Sequence, residues 1–349
     1  MLRIAAILRR RRIEAAITDG ARGRQECTNQ VTGVFLLSVT WILMMNIRKK
    51  SKFSLFVLAI ILLAQQICDA QDDLPFDVFG DSVDSREVFR YLELQGKKLT
   101  TSQADDAVEQ LGKQLASVGS RSKIDLKSLV NAGAATKEKL YRHMVKSSLY
   151  LGELYNCGRC ERTHPGSSGG VVVSEDGLAL TNYHVLQAHH ADRTEGFMAM
   201  TYDGKCFAID EIVAANQAAD IALVRLKADG HKFHAAPIAS KRPNPMDTVR
   251  VVSNPRGQFF LLTNGEVSRY SRENGKAMLE ITADFGGGSS GSGIFNDRGE
   301  VVGVVSLITP IFGSMKATNG KNGTTKFVEM VLKRCVPLQG IHNCFEKHD

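Results

Sequence analysis

Three segments of the sequence carry residue types that together can perform nucleophilic catalysis. His184 follows one apolar stretch, Asp220 begins another, and Ser290 lies in the glycine-rich segment 286–293. A serine hydroxyl is a weak nucleophile until an imidazole accepts its proton, and the imidazole needs a carboxylate on its other nitrogen to hold the correct tautomer. The order His, Asp, Ser, with spacings of 36 and 70 residues, therefore predicts a hydrolytic triad.

The glycines beside Ser290 predict a second part of the same chemistry. They allow the backbone N–H groups of Gly288 and Ser290 to point at one position, where the oxyanion of a tetrahedral intermediate forms. A side chain at Gly288 would obstruct that turn. Each residue alone has a structural alternative, because a histidine after a strand, an aspartate in a turn and a Gly/Ser loop are all common. The combination is what is specific.

The segments that position these residues read as short strands. From about Ser147 onward, apolar runs of a few residues alternate with Gly, Asn and Asp turns, a pattern typical of an antiparallel sandwich or barrel. The clearest runs are residues 171–173, 178–181, 221–226, 248–252, 259–263, 280–282 and 301–306.

The region before these strands, residues 71–146, is predicted to be helical. Val108, Leu111, Leu115 and Val118 recur at helical spacing, which is typical of an amphipathic helix. No catalytic group is evident in this region. A packed helical extension, a propeptide and an oligomerisation arm all remain open.

The N-terminal 70 residues have the layout of an export signal. Arg48, Lys49 and Lys50 precede the apolar run 53–64, and small residues follow up to Ala70, as in a secretory signal peptide. The run is shorter than the ~20 residues that span a bilayer, so we expect cleavage after Ala70, with a retained membrane anchor as the alternative. Residues 1–43 do not fit a signal peptide and are expected to be an unrelated leader or an over-long start. The predicted divisions are residues 1–43, 44–70, 71–146 and 147–349.

The charge distribution argues against a nucleic-acid partner. The formal net charge is +7, but residues 1–70 hold 11 Lys/Arg and 4 Asp/Glu, and the rest of the chain holds 33 of each sign. A surface that neutralises phosphates should lie on the folded domain. The excess lies in the leader instead.

Five cysteines follow the leader, which is an odd number for an exported chain. Disulfides are expected, with Cys335 and Cys344 close enough in sequence to pair, and Cys157 with Cys160 as a local bridge. Cys157, Cys160 and His164 also have the types of zinc ligands, but four ligands are expected at a structural site. A disulfide or free thiols is the favoured interpretation, and no metal is predicted. The five are Cys157, Cys160, Cys206, Cys335 and Cys344.

Residues from about 137 to 306 resemble the trypsin-like serine peptidases, most closely the HtrA/DegP-like branch. The segments that carry the resemblance are Gly169-Gly-Val-Val-Val-Ser-Glu-Asp-Gly-Leu-Ala-Leu-Thr-Asn-Tyr-His184-Val, Ala219-Asp-Ile-Ala-Leu-Val-Arg-Leu226 and Gly288-Ser-Ser-Gly-Ser-Gly-Ile-Phe-Asn296. The resemblance implies a mainly β fold of two six-stranded antiparallel barrels, with the active site between them and the helical extension in front. It also implies the triad His184, Asp220 and Ser290, with Gly288 and Ser290 as oxyanion donors.

The chain departs from the family pattern in places that bear on regulation. Ser292-Gly293 replaces the usual Gly-Pro after the nucleophile, and Ser289 stands where pancreatic-type enzymes have an Asp. That difference argues against their zymogen switch. About 40 residues follow Ser306, so no PDZ domain is expected.

The resemblance also suggests a substrate-binding region. Asp284 lies six residues before Ser290, where trypsin carries the Asp that binds Arg or Lys; the alternative is that Asp284 only ends a strand. Ser306, Leu307 and Ile308 align with the strand edge that pairs with substrate backbone.

These observations predict an exported serine endopeptidase, periplasmic or extracellular, acting on protein or peptide substrates without a metal or cofactor. A membrane association is expected only if the leader is retained, and oligomerisation stays open. The alternative function is a non-catalytic peptide-binding or chaperone module on the same fold.

Overall fold

The computed structural model describes residues 77–80, 83–102, 106–129, 136–273, 275–316 and 324–345. The predicted leader, signal peptide and cleavage after Ala70 lie outside these residues. Within them, no helix is both long and apolar enough to cross a bilayer.

Three helices precede the strands, as predicted for this region. They are α1 (Ser85–Ser102), α2 (Ala107–Ser117) and α3 (Lys137–Ser147), with a 3-10 turn at Leu126–Leu129. At the start of α1 the carboxylate of Asp84 accepts a hydrogen bond from the N–H of Arg86 at 2.8 Å, and Thr136 caps α3. Such side-chain acceptors satisfy N–H groups that the first turn of a helix leaves unpaired.

The first sheet holds seven antiparallel strands. Their order in the sheet is β2-β1-β3-β4-β7-β6-β5, and a further pairing of β1 with β5 connects the six strands other than β2 in a ring. The strands are β1 (Ser148–Asn156), β2 (Thr163–Pro165), β3 (Ser168–Val172), β4 (Leu178–Thr181), β5 (Thr194–Met200), β6 (Cys206–Asn216) and β7 (Ile221–Leu226).

The second sheet is a closed six-stranded barrel in the order β10-β13-β12-β11-β8-β9. Its members are β8 (Thr248–Ser253), β9 (Leu261–Glu273), β10 (Lys276–Ile281), β11 (Gly293–Phe295), β12 (Val301–Lys316) and β13 (Thr324–Pro337), followed by the short helix α4 (Leu338–His342). Closure gives every strand of the barrel a paired neighbour on each side over part of its length. The predicted fold, mainly β with preceding helices, is confirmed.

The helices share their apolar faces with the strands. Val88 and Leu92 of α1 are completely buried, in the same apolar cluster as Phe295 of the closed six-stranded barrel. Phe89 packs edge-on against Phe259, with ring centroids 5.2 Å apart. The helical region therefore contributes to the core.

The predicted disulfides are absent: all five cysteines of the described residues are free thiols. Cys335 and Cys344 are buried, and burial raises the pKa of Cys344 to about 12. A thiol that stays protonated in an apolar core is a poor nucleophile for disulfide exchange. These two cysteines act as small core residues.

Candidate active site

His184 and Asp220 meet at one end of the first sheet. His184 begins a 3-10 turn (His184–Leu186) shortly after β4, and Asp220 immediately precedes β7, which pairs with β4. The Nδ1 atom of His184 lies 2.9 Å from Oδ1 and 3.0 Å from Oδ2 of Asp220. A proton on Nδ1 that donates to the carboxylate leaves Nε2 of neutral His184 as an acceptor.

The carboxylate of Asp220 is held by more than the imidazole. Its Oδ1 accepts from the backbone N–H of His184 at 3.2 Å, and its Oδ2 accepts from the hydroxyl of Ser306 at 2.5 Å. Burial by itself raises the pKa of Asp220, but the hydrogen bonds and the charge of His184 outweigh that effect, so its pKa lies below the ordinary value. Asp220 is therefore an anion at neutral pH.

The backbone at Asp220 also supports the arrangement. Its φ is +56°, in the left-handed region that few non-glycine residues adopt. The side chain of Asn182 donates to the carbonyl of Asp220 at 2.8 Å. Sequence analysis missed both Asn182 and the side-chain role of Ser306. The Thr-Asn pair before Tyr183 and His184 was the available signal for the first.

Ser290 comes from the other sheet, in the loop between β10 and β11. Its hydroxyl donates to the carbonyl oxygen of Ser306 at 3.4 Å. Its own carbonyl accepts from the N–H of Gly169 at 2.7 Å, a residue of β3 in the first sheet. The loop that carries Ser290 therefore contacts both sheets.

The backbone at Gly288 adopts a conformation that favours glycine. Its φ is +93°, and a Cβ there would lie 2.9 Å from the carbonyl oxygen of Asn254 and 3.0 Å from Oγ of Ser167. Within the described residues, the N–H groups of Gly288 and Ser290 have no hydrogen-bond acceptor. Two free donors beside Ser290 are what an oxyanion site requires.

A cleft of about 1300 Å³ brings these groups to one surface. His184, Asp220, Ser290, Ser306 and Leu307 all line it. The His184 side chain is 38% exposed and that of Asp220 is 13% exposed. The imidazole thus faces the cleft while the carboxylate lies behind it.

The strand after Ser306 offers backbone to the cleft. β11 pairs with β12 only up to Val304, so among the described residues no strand neighbours that edge at Ser306 and Leu307. Leu307 is 46% exposed, whereas Ile308 packs partly against the core. An unpaired edge of this kind can add an extended peptide as a further strand.

Asp284 does not occupy the position that a basic-residue pocket requires. Its side chain is 81% exposed and lies 2.5 Å from Nζ of Lys333, whose own side chain is only 15% exposed. The hydrogen bond and charge of Lys333 lower the pKa of Asp284. The carboxylate is therefore on the surface and already paired.

Several known proteins are similar in sequence to this chain. The sequence model of the trypsin-like peptidase domain family matches residues 168–304. The chain is 34% identical over 157 residues to serine protease HTRA1 of Xenopus laevis, covering 42% of this chain and 33% of that protein. It is 29% identical over 171 residues to the Brucella suis protein named "Probable periplasmic serine endoprotease DegP-like", covering 45% of this chain and 32% of that protein.

These alignments span about a third of each relative's length. The family match includes His184, Asp220 and Ser290. Residues 168–304 therefore match the trypsin-like peptidase domain family, and the chain is similar to serine proteases of the HtrA/DegP branch.

Proposed function

We propose that this protein is a serine endopeptidase that hydrolyses peptide bonds through His184, Asp220 and Ser290. One observation carries the proposal: a partly buried, ionised carboxylate orients an imidazole at the wall of a cleft that Ser290 also lines. The free N–H groups of Gly288 and Ser290 supply the second element of acyl-transfer catalysis.

The first half of the reaction forms an acyl-enzyme. The hydroxyl of Ser290 turns from Ser306 toward Nε2 of His184, and its oxygen attacks the scissile carbonyl carbon as the proton passes to the imidazole. The N–H groups of Gly288 and Ser290 bind the oxyanion, and Asp220 stabilises the imidazolium. The C–N bond then breaks, and His184 returns the proton to the leaving amine.

The second half releases the acid product. Water gives a proton to His184 while its oxygen attacks the acyl carbon, and a second oxyanion forms between the same two N–H groups. Collapse of this intermediate breaks the ester bond, and the proton returns from His184 to the oxygen of Ser290. The enzyme regains its initial state without an external redox or metal reagent.

Substrate is proposed to bind as an added strand along Ser306, Leu307 and Ile308. The free edge of β12 supports this orientation, because it leads directly from the carbonyl that Ser290 contacts. Selection of Arg or Lys by Asp284 is not part of this proposal, since Lys333 already neutralises that exposed carboxylate.

The decisive test is the nucleophile. Replacement of Ser290 by Ala should lower the kcat for casein by about 10⁴- to 10⁶-fold and abolish labelling by a fluorophosphonate, with an unchanged melting temperature. Ser292→Ala is the matched control, because the buried hydroxyl of Ser292 has no hydrogen-bond partner among the described residues; this variant should still be labelled. Wild-type protein that binds unfolded casein without cleaving it would instead favour the peptide-binding function.

The site of action is proposed to be outside the cytoplasm. The sequence layout before Ala70 and the word periplasmic in the name of the Brucella suis relative both support export. Residues 71–146 are proposed to remain with the protease domain, residues 147–349, after processing. Sequencing the mature N-terminus should find Gln71; a chain that retains its leader in the membrane fraction would contradict this division.

A further inference from the structure

A second cluster of reactive side chains lies outside the cleft, in the hairpin that joins β1 to β2. Cys157 and Cys160 are in its loop, and His164 is in β2, opposite Tyr155 of β1. The two Sγ atoms are 3.4 Å apart, and Sγ of Cys160 lies 3.1 Å from Nε2 of His164. One ligand atom from each of the three residues lies within 4.8 Å of the others.

These separations are close to the edges of a metal tetrahedron. Two sulfurs at about 2.3 Å from one zinc ion lie about 3.8 Å apart in tetrahedral geometry, and a sulfur and an imidazole nitrogen lie slightly closer. Small rotations of the three side chains would therefore bring their ligand atoms to zinc-binding positions. Thiolate and imidazole donors together favour zinc over the oxygen-seeking cations calcium and magnesium.

We propose that Cys157, Cys160 and His164 bind a zinc ion, with the fourth position open to water. All three residues are partly exposed, so solvent can reach the ion from the loop side. Each thiol that is still protonated loses a proton to solvent when it coordinates the ion. This site is separate from the catalytic groups and does not depend on the proposed hydrolytic activity.

The surroundings of His164 fit the role of a ligand. When Nε2 binds a metal, the other ring nitrogen needs an acceptor, most often a carboxylate or a carbonyl. Nδ1 of His164 faces the carboxylate of Glu93 at 3.8 Å, and Arg162 lies 3.4 Å from the same carboxylate. Glu93 belongs to α1, so a bound ion would strengthen the attachment of this helix to the first sheet.

The competing state is a disulfide between Cys157 and Cys160. A disulfide requires sulfurs about 2.05 Å apart, and a bridged pair would offer no thiolate to a metal. Hydrogen bonds hold the loop between the two cysteines while their thiols remain unlinked. The N–H of Gly158, whose φ is +71°, donates to the side chain of Asn156, and Arg193 donates to the carbonyl of Cys157.

The test begins with metal content. Protein purified without chelators should contain about one zinc per chain by mass spectrometry of the metal. After zinc removal under reducing conditions, Co²⁺ titration should give thiolate-to-cobalt charge-transfer and tetrahedral d–d absorption bands. Zinc should displace the cobalt and raise the melting temperature.

Matched variants assign the ligands. Cys157→Ser and His164→Gln should each weaken zinc binding by more than the ~10–100-fold that loss of an outer-shell partner costs, and Glu93→Gln should fall within that range. Cys206→Ser is the control, because Cys206 is a partly buried thiol that is not part of the cluster; its zinc affinity should equal that of the wild type. Circular dichroism identifies any variant that fails to fold.

Three results would overturn the proposal. The first is that the reduced, folded protein does not bind zinc, and the second is that His164→Gln binds zinc with unchanged affinity. The third is a disulfide in the native protein, seen as two fewer titratable thiols and as a linked Cys157–Cys160 peptide in the non-reduced digest. If His164→Gln fails to fold, loss of the cobalt bands in folded Cys157→Ser still tests the site.

Discussion

The carboxylate of Asp220 shows how one proposed catalytic side chain depends on several weaker positioning residues. The short hydrogen bond from the hydroxyl of Ser306 holds Oδ2 while His184 uses the same carboxylate. Such a bond to a charged group contributes about 1.5–3 kcal/mol. Ser306 therefore acts in two ways, through its hydroxyl on Asp220 and through its backbone at the proposed substrate strand.

Substitution at Ser306 separates these two roles. In Ser306→Ala the backbone is kept and the hydroxyl is lost, so kcat should fall about 10- to 100-fold while KM stays near the wild-type value. Ser306→Thr, which restores a hydroxyl, should recover much of the rate. The measurement is steady-state hydrolysis of a peptide substrate. A rise in KM with no loss in kcat would show that the hydroxyl does not act through Asp220.

The turn at Gly288 supports a second prediction at this scale. A methyl group in Gly288→Ala meets the carbonyl of Asn254 and a φ of +93°, which should displace the oxyanion donor and lower kcat about 10²- to 10³-fold. Gly287→Ala is the matched control, because a Cβ at that position has nothing within 4 Å. Equal activity of the two variants would remove Gly288 from the oxyanion site.

Residue patterns predicted the parts of the site that short segments encode. His184, Ser290 and the turn at Gly288 each lie in a stretch whose local composition is unusual, and these stretches were readable. The side-chain role of Ser306 was not, because its partner is 86 residues away and serine is common on strands. Exposure of Asp284 was not readable either, since it depends on where Lys333 reaches from β13.

At the scale of elements, His143 of α3 contacts both the turn before β12 and His234 in the loop after β7. Nδ1 of His143 lies 2.9 Å from Nε2 of His234, and Nε2 of His143 lies 3.1 Å from the carbonyl of Gly299. Because the carbonyl can only accept, neutral His143 carries its proton on Nε2 and accepts through Nδ1. Protonation of His143 would place two N–H groups against each other.

This pair should make the docking of α3 sensitive to acid. Partial burial lowers the pKa of His143, and the partial loss of solvent around the ring of His234, with the nearby charges of His143 and Lys146, lowers the pKa of His234 to about 4. The folded-state pKa values lie below the unfolded value of 6.5, so the unfolded chain binds protons first as the pH falls. The stabilisation is complete above pH 6.5 and is lost progressively toward pH 4.

The melting temperature as a function of pH checks this expectation. Between pH 7 and pH 5 the wild type should lose more thermal stability than the double variant His143→Gln/His234→Gln, whose side chains do not titrate. The difference should be small, because His234 is exposed. Parallel curves for the two proteins would show that the pair does not couple protonation to stability.

Element boundaries in the strand region followed from turns and apolar runs, but the closure of the sheets did not. Pairings such as β1 with β5 join segments far apart in sequence, and the residues of one strand do not indicate which other strand it pairs with. The long extension of β12 and β13 beyond the barrel was also unexpected. That hairpin exposes Phe312, Phe327 and Met330, so apolar content alone did not distinguish it from buried strand.

At the scale of the whole molecule, the helical region is part of the folded unit that contains both sheets. The described residues between 77 and 345 belong to one compact unit. Helix α2 also binds the first sheet, through a hydrogen bond from the N–H of Ile212 to the side chain of Gln114 at 2.9 Å. A removable propeptide would contribute little to the stability of the mature barrels. A structural extension would contribute several kcal/mol.

Leu92 distinguishes these two cases. It is completely buried in the cluster that α1 shares with the barrels, so Leu92→Ala should lower the free energy of unfolding by about 2–5 kcal/mol in a single cooperative transition. Leu94→Ala is the matched control on the same helix, because Leu94 is 64% exposed and its loss should change stability by less than about 0.5 kcal/mol. Denaturant unfolding followed by far-UV circular dichroism, to which both the helices and the strands contribute, gives both values. A helix that shares the core cannot lose a buried leucine without weakening the strands that it covers. If the strands unfold at the same denaturant concentration in the wild type and in Leu92→Ala, α1 is therefore dispensable for their stability.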